Sequence, residues 1–325
     1  WRYSRVGPYM KIVTDISVGS PRPAREIQDI PLLIDFGSSI YRSGARRGLS
    51  DILLFSRETP ATYISDQGVI KTAPENALRI ENSAALLEQS TTNLLKRSVN
   101  IGDAIWQKHS VSVTPSSIAA PDGTTAQKVI MANTAGIQRI AQPWIPESGV
   151  TYTQSVYLRS GGARFIYLNV DVNMGARLAI DLETGSFVKG GVAGRNASVT
   201  DVGNGWWRAS ITGTGTEASG NNTWIQANAS LAAGDQQVSG DGTAGFYAWG
   251  AQLEKGDAAT SLIRTGTSPA SRDADTIGLR AISGTFDLRV DYLDGSFEML
   301  DAIQIPNGWW PQTGKSIKRI RAKVA

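Results

Sequence analysis

The most constraining feature of the chain is a succession of short extended segments separated by tight turns. Nowhere does a long apolar pattern recur at the 3.6-residue spacing of a helix. Residues 151–158 (TYTQSVYL) and 165–170 (FIYLNV) are rich in β-branched and aromatic side chains, and Gly161-Gly162 lies between them. Residues 197–202 and 206–211 flank Gly203-Asn204-Gly205, the strongest hairpin signal present. Further hairpins are predicted around Ser65-Asp66-Gln67, around Asn82-Ser83 and, in the C-terminal region, around Leu293-Asp294-Gly295. Most common enzyme folds need helices to cover a sheet. Serial strands without long helices instead predict an all-β chain in which two sheets cover each other's apolar faces at a spacing of about 10 Å, a sandwich or jelly roll.

Composition narrows the function classes. The 325 residues include no cysteine and one histidine, which excludes disulfides, thiolate metal sites, cysteine nucleophiles and a histidine-rich zinc site. Lys+Arg 32 against Asp+Glu 29 gives a net charge of +3, with no reason to expect nucleic-acid binding. Charged residues make up 19%, below the usual value of about 25%. No run approaches the ~18 apolar residues of a membrane helix, so membrane insertion is not expected. The first residues lack the apolar stretch of a signal peptide and an initiator Met, as in a processed or partial chain. Phosphate-loop, dinucleotide, nucleophile-elbow and zincin motifs are all missing.

Four regions are expected. Residues 1–30, interrupted by Pro21 and Pro23, form an N-terminal arm or connector, with room for a short turn of helix near 24–30. Residues 31–97 form a short β-hairpin region, residues 98–265 the jelly roll, and residues 266–325 a linker and small C-terminal β region. In residues 316–324, Ile317 and Ile320 alternate with basic residues, which predicts a solvated edge strand. Residues 1–30 and 276–325 are expected to contact other subunits, because residues 1–30 contain no pattern that closes a core.

Several spaced motifs carry a resemblance. Residues 55–63 (FSRETPATY) with Asp66-Gln67-Gly68-Val69, residues 86–95 (LLEQSTTNLL), Ala104-Ile105-Trp106, residues 120–126 (APDGTTA), residues 201–208 (DVGNGWWR) and residues 246–254 (FYAWGAQLE) occur in order. Together they resemble bacteriophage tail, fibre and head-decoration structural proteins that carry a jelly roll like that of carbohydrate-binding modules. The resemblance covers about residues 35–275. It implies a protein made in the host cytoplasm and built into the virion, with other virion proteins and copies of itself as partners, commonly as a homotrimer. It leaves open tail, fibre or spike component, head-decoration or collar protein, and a module that binds a host receptor or bacterial surface polysaccharide.

Sugar recognition needs an aromatic platform and planar hydrogen-bonding groups. The candidates are Trp144, Tyr167, Trp224, Gln226 and Asn228; the alternative is a solvated or interface face. Adjacent Trp206 and Trp207 must point to opposite faces of a strand, one of them into a core. Asp171, Asp181 and Glu183 are candidate calcium ligands, although no Asp-x-Asp-x-Asp-Gly loop accompanies them. His109 has no local partner set for base catalysis and is expected at a surface or turn. No carboxylate pair with hydrolytic spacing is recognisable, so the chain is expected to be neither an enzyme nor dependent on a cofactor.

Overall fold

The computed structural model describes residues 32–170, 176–191, 196–215, 221–280, 282–312 and 315–325. The expected arm, residues 1–30, lies outside them. The described residues are nearly all β, with one helical turn at Leu49–Ile52.

Two six-stranded antiparallel sheets form the sandwich. The front sheet runs Gln107–His109, Arg139–Trp144, Asn221–Asn228, Phe165–Asn169, Arg177–Asp181, Phe187–Gly190. The back sheet runs Val111–Ala119, Thr125–Met131, Gly245–Lys255, Thr151–Gly161, Trp207–Thr214, Ala197–Asp201. Strand alternation sends Ile140, Ile166, Leu168, Ile180 and Ile225 of the front sheet and Val156, Leu158, Phe246 and Leu253 of the back sheet into one core. Trp206 is buried in a satellite cluster with Tyr157 and Trp249, while Trp207 packs on the main core, as alternation requires. The turn between their strand and the preceding one holds Gly203, Asn204 and Gly205 at φ 83, 55 and 75, the left-handed region that these residue types tolerate.

A third six-stranded sheet joins the two ends of the described chain, in the order Phe297–Ile305, Gly284–Tyr292, Ile317–Val324, Leu32–Asp35, Ile40–Ser43, Ala45–Arg46. Leu32 pairs with Ala322 and Asp35 with Arg319. Leu53–Ser56 likewise pairs with Thr276–Leu279, and Thr91–Asn93 with Ala270–Arg272. The hairpin region before the sandwich and the β region after it therefore share one core, containing Leu32, Ile34, Leu288, Val290 and Ile320.

One expectation is corrected. Ile317–Val324 is an interior strand, hydrogen-bonded on both sides, and not a solvated edge. Ile317, Ile320 and Ala322 enter the core, and basic residues on the opposite face find acids. Arg319 and Arg321 both donate to Asp291, at 2.8 and 3.1 Å. Cross-strand ion pairing lets a strand this basic sit inside a sheet.

Candidate functional site

The outer face of the front sheet is polar where a plain two-sided sandwich would face water. Register places Arg139, Gln226, Tyr167 and Ala179 in one cross-strand row. Ala141, Trp224, Asn169 and Arg177 form the next. Of the predicted sugar-binding residues, Tyr167, Trp224, Gln226 and Asn228 thus share this face.

Their environments differ. Trp224 is half-buried, with the Arg139 guanidinium 4.1 Å from its ring centroid. Tyr167 is 1% exposed, and burial raises its hydroxyl pKa, opposed by the charges of Arg177 and Arg139. Gln226 is fully buried and donates from Nε2 to Asp235 Oδ1 at 2.6 Å. Asn228 donates to the carbonyls of Ser230 and Ala232 and accepts from the Gln236 N–H. Gln226 and Asn228 therefore hold the loop at 229–236 against the sheet. Within the same face, Trp224 Nε1, Gln226 Oε1 and the Nε atoms of Arg139 and Arg177 are buried without a partner among the described residues. Such groups are costly to leave unmatched.

Trp144 is not brought to this face. It turns toward the interior, packs edge-on against Tyr152 at 4.7 Å and donates from its indole to the Val170 carbonyl. The proposed calcium ligands Asp181 and Glu183 do converge, but on a cation already supplied by the chain. Arg164 pairs with Asp181 at 2.8 Å and with Glu183 at 2.9 Å. The Arg164 hydrogen bond holds the Asp181 carboxyl below its ordinary range. These two carboxylates do not fit a calcium site while clamped this way, and Asp171 lies outside the described residues. His109 is exposed and opposite Arg139 across the strand pair. Partial burial and then the Arg139 charge lower its pKa from 6.5.

A second polar cluster, which local sequence patterns do not reveal, lies between the sandwich and the terminal sheet. Asp275 accepts from Arg57 at 2.9 Å and from Arg79 at 2.6 Å. Glu88 accepts from Arg79 at 2.7 Å and pairs with Arg272 at 2.9 Å. Burial opposes ionisation of Glu88, but Arg272, Arg79 and Ser261 together lower its pKa. Both carboxylates are committed to arginines, which suits a structural clamp better than acid–base chemistry. Several residues of the ordered motifs build this junction. Asn93 donates to the Ala251 and Ile263 carbonyls and accepts from the N–H groups of Leu95 and Leu253. Gln252 accepts from Ile263, and Glu254 accepts from Thr260.

No known family matches the chain, and no curated protein matches it. Among solved structures, the chain is similar to TmCBM61, a carbohydrate-binding module in complex with β-1,4-galactotriose. The identity is 15% and the TM-score 0.33, over 50% of this chain and 99% of the other.

Proposed function

We propose that the chain is a non-catalytic structural and adhesive protein of a bacteriophage particle, whose sandwich turns the outer face of its front sheet toward saccharides of the host surface. The saccharide part rests on one observation: half-exposed Trp224 shares that face with Arg139 and Arg177 and with buried polar atoms that have no partner among the described residues. Aromatic surface combined with planar hydrogen-bonding groups suits a sugar ring, which offers C–H faces and hydroxyl edges. The particle part, including virion partners and a homotrimer, is supported by the ordered motifs and by nothing in the site itself. The commitment of Glu88, Asp275, Asp181 and Glu183 to arginines supports a non-catalytic role.

An array of bacterial surface polysaccharides tests the saccharide part. The intact chain is expected to bind at least one of them and Trp224→Ala to bind it at least tenfold more weakly. Binding unaffected by Trp224→Ala would refute the assignment to this face. Antibody labelling of intact particles tests the virion part, and unlabelled particles would refute it.

A further inference from the structure

Arg139 and Arg177, both on the outer face of the front sheet, differ from most arginines of the sandwich and junction. Arg57, Arg79, Arg164, Arg264 and Arg272 each have a carboxylate partner. Among the described residues, neither Arg139 nor Arg177 has one, although both are half-buried. Partial burial of a guanidinium without a counter-ion is unfavourable, and it is relieved by an anion that accepts from its fork.

The two arginines approach one region from opposite sides. They lie on strands three spacings apart and one row offset, so their Cα atoms are about 16 Å from each other. Arg139 lies over Trp224, whose row also contains Asn169 and Arg177. Fully buried Gln226, with Oε1 unpartnered among the described residues, stands directly opposite Arg139 in its own row. The carboxylate attached to this face through a hydrogen bond is Asp235, on Gln226. Asp181 lies on the same face but is paired with Arg164, so among the described residues Arg139 and Arg177 are cations of this face without a carboxylate partner.

We infer that the saccharide taken by this face is acidic, with a carboxylate or phosphate that engages Arg139 and Arg177. This rests on the saccharide-binding reading above. Guanidinium matches either anion with paired N–H donors, whereas a neutral sugar leaves both arginines without a counter-ion.

Calorimetric titration of the full chain with trigalacturonate, galactose 6-phosphate and neutral galactotriose tests it. The expected result is at least tenfold tighter binding of an acidic probe than of galactotriose, weakening with salt. Arg177→Gln should remove that preference and Arg177→Lys should restore part of it. Tighter binding of trigalacturonate assigns a carboxylate, and tighter binding of galactose 6-phosphate a phosphate. The single histidine provides an independent readout: because the Arg139 charge lowers the His109 pKa, a bound anion should raise it in an NMR titration. The same resonance reports whether each variant is folded. Equal binding of neutral and acidic probes, or a preference indifferent to Arg177→Gln, would overturn the inference and leave the saccharide reading standing. No binding of any probe by a folded chain overturns the inference; failure on the polysaccharide array as well overturns the reading beneath it.

Discussion

Replacing Asp275 by Ala should destabilise the protein more than almost any other single polar substitution. The Asp275 side chain is fully buried, as are those of Arg57 and Arg79, which it bridges. Its Oδ2 also accepts from the Glu88 N–H at 2.8 Å. Without it, Arg57 retains only the carbonyls of Thr59, Pro74 and Ala77, and Arg79 must share Glu88 with Arg272. Removing one partner of a buried ion pair costs about 3–5 kcal/mol, because the remaining charge cannot return to water. With a urea slope of about 3 kcal/mol/M, the midpoint should fall by about 1–1.7 M. Urea unfolding followed by tryptophan fluorescence provides the assay. Asp66→Ala, in an exposed turn, is the control and should change stability by no more than about 0.5 kcal/mol. A loss below about 1 kcal/mol for Asp275→Ala, with the slope unchanged, would show that the junction does not depend on this carboxylate.

Further predictions concern the junction and the core. The lowered Glu88 pKa should make stability depend on acid: its contribution is complete above the unfolded value of about 4.5 and is lost as pH falls through the folded value, so urea midpoints should drop there and Glu88→Gln should flatten the profile. Gly185→Ala should destabilise by about 1–3 kcal/mol in thermal unfolding, since φ is +73 and a Cβ would lie 2.3 Å from Trp207 Cζ3. Asn93→Ala should lower the urea midpoint by an amount equivalent to about 2–3 kcal/mol, because it leaves buried backbone groups of Ala251, Ile263, Leu95 and Leu253 without their partner.

Local patterns reveal what local physics decides. The Gly203-Asn204-Gly205 turn, the opposed Trp206 and Trp207, and the shared face of Gln226 and Asn228 follow from turn chemistry and two-residue alternation, whereas Tyr167 joins that face through cross-strand register. Trp144 departs from its expected place because its inward-facing row includes Gln142, a polar residue that disguises the buried face. Gln142 is buried by exchanging hydrogen bonds with the Lys96 backbone, a partner that alternation does not reveal. The interior position of Ile317–Val324 depends on Leu32–Asp35, at the other end of the described chain. Arg57 and Asp275 are similarly separated by 218 positions. Pairings at such distances leave no periodic trace in either segment.

A crystal structure of the chain with the polysaccharide fragment that binds most tightly on the array would put the saccharide face to its sharpest test. A sugar ring should lie against Trp224 on the outer face of the front sheet, with its anionic group on Arg139 or Arg177. A fragment bound elsewhere on the molecule, with this face unchanged, would contradict the assignment.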